Sequence, residues 1–237
     1  MPDRDPAPVP DDPRDWTPMQ PYRGRRSFDI KDPLLEPLWS GTRVLAHLAV
    51  APTAGQPVGV ALIEVLGSDL AAELPALVEA IGSAFLALDA IVDGVISRQV
   101  TLDGVGTAAI PELRSRPTEM FVRSTLDFDV TARGPIVQAA AEAEPLDGFI
   151  AVDLLRLDGT SLLDVPLLER KRLLESVILP SRLVRISSHV RPPIGSWIAT
   201  WKAMGLRGGM LKAANSRYHP NDDTIEWRLV ERLDRRR

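Results

Sequence analysis

The stretch FIAVDLLRLDGTSLLDV, residues 149 to 165, decides the fold class. Phe149 to Leu157 is a strand-like apolar run, Asp158-Gly159 supplies two residues that tolerate positive φ, and a second apolar stretch follows from Ser161 to Val165. Asp164 is then placed to cap a helix with Pro166 in its first turn, and Leu167, Leu168, Leu173, Leu174 and Val177 give that helix an apolar face before Pro180 ends it. A strand, a tight turn, a second apolar stretch and an amphipathic helix in direct succession predict a mixed α+β domain.

The same reading extends outward. Arg43 to Val50 and Val58 to Leu66 are short apolar runs that predict an antiparallel hairpin. Leu70, Leu74, Leu77, Val78, Ile81 and Phe85 recur at helical spacing after a Ser68 or Asp69 cap, despite Pro75 and Gly82. Ala90 to Ser97 and Val100 to Leu102 lie by two Asp-Gly pairs, Asp93-Gly94 and Asp103-Gly104, which predict tight turns between strands. A strand at Leu126 to Val130 and a helix at Pro135 to Ala143 are expected from a less readable region. Leu183 to Ser187 predicts a strand, and Pro193 to Met204 a helix that carries Ile194, Trp197, Ile198 and Trp201 on one face and stops at Gly205. Gly209 to Lys212 and Thr224 to Val230 are expected as closing strands. The first 21 residues hold seven prolines among five aspartates, so a disordered leader is expected over 1–32, one folded domain over 33–231 and a short basic tail over 232–237.

Composition excludes several classes. At 237 residues and 45% hydrophobic content the chain can bury a full core. A net charge of -4 and a pI near 5.5 give no global field for a polyanion, so any DNA contact must be local. Without cysteine there are no disulfides or thiolate metal sites, the three histidines are scattered, and no run reaches the ~18 apolar residues of a membrane span. A cytoplasmic protein with no membrane partner is the expectation.

Four segments then carry a resemblance. Glu36-Pro-Leu38-Trp-Ser40-Gly41-Thr-Arg43, Asp93-Gly94-Val95, the run from Phe149 to Gly159 with the Pro166-Leu-Leu-Glu-Arg-Lys helix behind it, and Arg207-Gly208-Gly-Met-Leu-Lys212 with Asn215-Ser-Arg-Tyr218-His-Pro220 resemble, in order and spacing, motifs I, III, IIIa and IV of ATP-dependent DNA ligases. Trp227 sits where motif V would begin. Each match alone is a weak signal; the order is what counts. The resemblance implies an ATP-grasp-like nucleotidyltransferase (adenylation) domain, with antiparallel sheets flanked by helices. An OB-fold domain is not expected, because the chain stops ten residues after Trp227.

In that family, the resemblance implies, a lysine amine attacks the α-phosphate of ATP, and acidic residues hold a divalent metal against the growing charge. Here the nucleophile position is Leu38, a side chain with no lone pair. The motif I aspartate is Ser40, the motif III glutamate Val95 and the motif IV glutamate Arg207, while the two motif V lysines become Leu229 and Glu231. No catalytic residue and no metal site are therefore expected. Glu36, Arg43, Phe149 and Lys212 remain as nucleotide-binding remnants, with Phe149 on adenine, Arg43 by the sugar or phosphate and Lys212 on a phosphate, although Phe149 is equally a core residue and Gly41, Gly94 and Gly208 equally serve their turns. The expectation is a catalytically inactive ligase-like protein of DNA repair or recombination that binds DNA, a repair protein or a nucleotide and needs no cofactor. The alternative is an active DNA ligase or nucleotidyltransferase that uses ATP and magnesium and forms its adenylate elsewhere, at Lys31 or Lys202, or with a partner subunit. A third reading has Leu38 and Val95 filling a collapsed cleft. Arg182, Arg185 and Arg191 are the candidate DNA patch, and Trp197, Trp201 and Ile194 a candidate partner surface.

Overall fold

The computed structural model describes residues 9–22, 29–39, 41–49, 59–97, 100–101, 108–109, 148–192 and 208–230. The strands are β1 (Gln20–Pro21), β2 (Pro33–Pro37), β3 (Thr42–Ala49), β4 (Gly59–Glu64), β5 (Asp89–Ser97), β6 (Val100–Thr101), β7 (Ala108–Ala109), β8 (Gly148–Leu157), β9 (Thr160–Ser161), β10 (Val184–Ile186), β11 (Gly209–Ala213), β12 (Asp223–Thr224) and β13 (Trp227–Val230); the helices are α1 (Pro75–Ala84) and α2 (Leu167–Val177). The larger sheet has the order β10-β8-β5-β3-β4, with β9 on β8, and a three-stranded sheet runs β13-β11-β2. All pairings in these two sheets are antiparallel except β10 on β8.

Strand alternation separates two cores. Val44, Ala46, Val92, Ile96, Phe149 and Ala151 turn toward the helices, where Leu77 and Ile81 of α1 and Leu174 of α2 complete the main cluster. Leu45, Ile91 and Leu155 turn the other way and meet Trp227 of the smaller sheet, Tyr218, Trp16 and Met19. The expected hairpin is β3–β4, and Asp158-Gly159 is a turn with φ of 45° and 81°. Neither Ser68 nor Asp69 caps α1: a 3-10 turn (Ala71–Glu73), whose Ala71 amide donates to Asp69 Oδ1 at 2.9 Å, comes first, and Pro75 opens the helix after Leu74.

Four further expectations are corrected. Asp93-Gly94 is no turn: it lies inside β5, where Gly94 is required because a Cβ there would stand 2.4 Å from the Phe149 ring. Asp164 does not cap α2; its first amides, Leu167 and Leu168, bond instead to the Ser216 and Ala214 carbonyls. The buried face of α2 is Leu167, Arg170, Lys171 and Leu174, two of them cations. Residues 9–22 are not a disordered leader. They hold a 3-10 turn (Pro13–Asp15), and β1 pairs in parallel with β12. Proline permits this because a two-residue edge strand needs few amides. The elements expected at 126–130, 135–143 and 193–204 lie outside the described residues.

Candidate functional site: a buried ion-pair network between two sheets

Two adjacent strands of the small sheet supply the first half of the site. Glu36 on β2 and Lys212 on β11 share a face, because Lys212 is opposite Leu34 and Met210 opposite Glu36 in the register. Lys212 Nζ donates to Glu36 Oε2 at 3.0 Å, and from α2 the Lys171 ammonium stands 2.8 Å from Glu36 Oε1. All three side chains are 3% exposed or less, which makes this a sealed cation–anion–cation triad. The Lys171 contact is an ion pair without hydrogen-bond alignment. Lys212 also sits 4.2 Å from the centre of the Trp227 ring, where the π face adds attraction.

The large sheet supplies the second half. Asp93 and Asp153 are direct partners across β5 and β8, a like-charge pair that is unfavourable unless each finds a cation. Asp93 takes the Arg43 fork, with Nε at 2.9 Å, and accepts from the Tyr218 hydroxyl at 2.8 Å. Asp153 takes the Arg170 fork at 2.9 and 2.8 Å, while Arg170 Nη1 also donates to the Val165 and Ser216 carbonyls. Arg43 and Lys212 flank Trp227, and Arg170 lies 5.8 Å from the Tyr218 ring centre.

These pairings set the protonation states. Burial drives the Glu36 carboxyl up, but Lys171 and Lys212 outweigh it and hold it below its usual value. Asp153 is likewise lowered: burial opposes ionisation and Arg170 overcomes it. Burial pushes Lys212 below the usual lysine value, and Glu36 restores only part of the difference. Burial and Asp93 raise Tyr218 well above the usual phenol value, so it is a neutral donor. The cluster holds four cations against three carboxylates. Among the described residues no group of three or more histidine or acidic side chains could hold a metal ion.

No family model matches the chain. A probable DNA ligase of Mycolicibacterium paratuberculosis (strain ATCC BAA-968 / K-10) is 33% identical over 109 residues, which is 44% of this chain and 21% of that protein. The ligase domain of M. tuberculosis LigD superposes with a TM-score of 0.58 and 22% identity, covering 91% of this chain and 59% of that one. A mycobacterial DNA ligase D complexed with ATP and MES gives 0.58 and 21% over 91% and 60%. The fold is that of the adenylation domain of ATP-dependent DNA ligases. The chain spans about a fifth of the length of the curated relative and about three fifths of these structural neighbours.

On the ligase fold, three of the four remnants converge: Arg43 and Lys212 both lie over the Trp227 ring, and Glu36 joins them through its ion pair with Lys212. Phe149 is not brought to them. It is fully buried on the helix side of the large sheet, packed under Gly94. Leu38 follows β2 one position beyond Glu36 on the same face; its amide donates to the Gly208 carbonyl at 3.1 Å, and a Cβ on Gly208 would stand 3.1 Å from Leu38 Cδ2. Val95 shares the Asp93 face and is buried. Ser40, Arg207 and Glu231 lie outside the described residues, as do Lys202, Ile194, Trp197 and Trp201. Lys31 is exposed. In the arginine patch, Arg191 pairs with Asp32 at 2.9 Å. Sequence reasoning missed Arg170 and Lys171. Their signal was present: positions 167, 170, 171 and 174 follow helical spacing, and the cations occupy two of those four inward places.

Proposed function

We propose that this domain is a ligase-fold binding module of DNA repair or recombination that forms no lysyl-adenylate. One observation carries the reading: a leucine stands at the nucleophile position beside Gly208, and the two buried lysines among the described residues, Lys171 and Lys212, are both paired with Glu36. An amine held against a buried carboxylate is not positioned to approach an α-phosphate in line. The donor set also fails the magnesium ion that adenylation requires, since Val95 replaces a carboxylate and Asp93 is saturated by Arg43 and Tyr218. ATP and magnesium are accordingly not cofactors in this reading, and Glu36, Arg43 and Lys212 act as an internal scaffold between the two sheets. DNA or a repair protein is the partner class that fits a ligase-type domain.

The test is incubation with α-labelled ATP and magnesium, followed by denaturing electrophoresis and peptide mass spectrometry. The chain should stay unlabelled. An AMP adduct on any residue would overturn the reading in favour of an active nucleotidyltransferase, and sealing of a pre-adenylated nick would do the same for the ligation step.

A further inference from the structure

Residues 10–22 are held by the rest of the domain as a peptide is held in a groove. Four prolines in this stretch suppress any helix or sheet of its own, and its one element of regular secondary structure besides the 3-10 turn is the two-residue β1. Its attachment comes from outside. Trp16 and Met19, three residues apart, sink to 6% and 0% exposure between the sheets against Leu45, Ile91, Leu155, Tyr218 and Trp227. Asn221 clamps the backbone on either side of Trp16, its Oδ1 accepting from the Thr17 amide and its Nδ2 donating to the Asp15 carbonyl at 3.0 Å. The Met19 amide donates to Tyr218 Oη at 2.9 Å, the His219 amide faces the Met19 sulfur at 3.1 Å, and the Gln20 and Tyr22 amides donate to the Asp222 and Thr224 carbonyls. Two buried apolar anchors, a short backbone pairing with β12 and a side-chain clamp are the features by which an extended peptide is held by a folded domain.

We infer that the groove between the sheets, floored by Leu45, Ile91 and Leu155 and walled by Tyr218 and Trp227, is a peptide-docking site which the chain's own residues 10–22 occupy in cis, and that its partner is a protein presenting an extended, proline-flanked segment with an indole and a thioether three residues apart. The tethered segment acts as a built-in competitor, because a short tether gives it an effective concentration of about 1 mM. A partner segment therefore gains access as the cis segment releases. The inference builds on the binding-module reading, and the two fail separately, since ATP labelling is blind to this groove.

The experiment uses the full chain and a fluorescent peptide with the sequence of residues 9–22. Wild type should bind it at least tenfold more weakly than Trp16→Ala or Met19→Ala, each of which weakens the cis contact and leaves the groove residues unchanged, and a peptide with alanine in place of its tryptophan and methionine should bind none of them. Hydrogen exchange over 167–177 checks that each variant is folded. Equal affinity for wild type and variants, including no binding by either, overturns the inference. So does loss of the folded state in both variants, because the segment would then be an integral part of the core.

Discussion

Glu36 is the residue on which the buried ion-pair network depends most. Replacing it with glutamine leaves Lys171 and Lys212 facing each other in a sealed space, and breaking a buried pair in this way costs about 3–5 kcal/mol. Chemical denaturation of Glu36→Gln should show a loss of that order with an unchanged m-value. Leu38 lies one position further along the same face, so Leu38→Lys restores an amine to the nucleophile place without restoring any carboxylate for a metal. Intact-mass measurement after exposure to ATP and magnesium should find Leu38→Lys unmodified; an adduct would mean that the missing amine was the sole defect.

At the scale of elements, β5 shows where sequence reading succeeds and where it stops. Its apolar run was legible, because continuous burial on both faces leaves few polar residues. The role of Asp93-Gly94 was not, since a glycine that makes room for an aromatic ring across the strand has the same local signature as a glycine in a turn. Gly94→Ala should therefore destabilise by about 1–3 kcal/mol through overpacking against Phe149, read as a lowered midpoint in thermal unfolding. The strand from 149 to 157, its Asp158-Gly159 turn and the β3–β4 hairpin followed from periodicity and turn chemistry alone. In α2 the hydrophobic pattern located the helix and then misjudged its inner face, because Arg170 and Lys171 are inward only by virtue of carboxylates on distant strands. The same limitation hid the clustering of Glu36, Arg43 and Lys212 and the placement of Phe149 on the opposite face. Residues 10–22 were unreadable for a related reason: proline content predicts the absence of autonomous structure, which a docked segment also lacks.

Across the whole molecule the ionised interior makes stability depend on pH. Glu36 and Asp153 both have lowered values in the folded state, so each contributes stability that is present above its ordinary value and is lost as pH falls through the folded one. Equilibrium unfolding followed from pH 7 downward should show a plateau, then a loss that begins near pH 4.5 and deepens on further acidification. Glu36→Gln should flatten that limb; an acid limb of unchanged depth would assign it to other carboxylates. The two consecutive cations of α2 explain why the effect belongs to the molecule and not to one layer. Arg170 grips Asp153 of the large sheet, and Lys171 grips Glu36 of the small one. Both grips depend on the rotational setting of a single helix. One residue inserted between Leu167 and Arg170 would turn both cations by about 100° and strand a carboxylate in each layer, whereas one inserted after Leu174 would leave both in place. The first turns of α2 thus act as a phase lock for the entire domain, while its last turn is fastened separately, through the Val177 carbonyl and Ile178, to the residues that end α1.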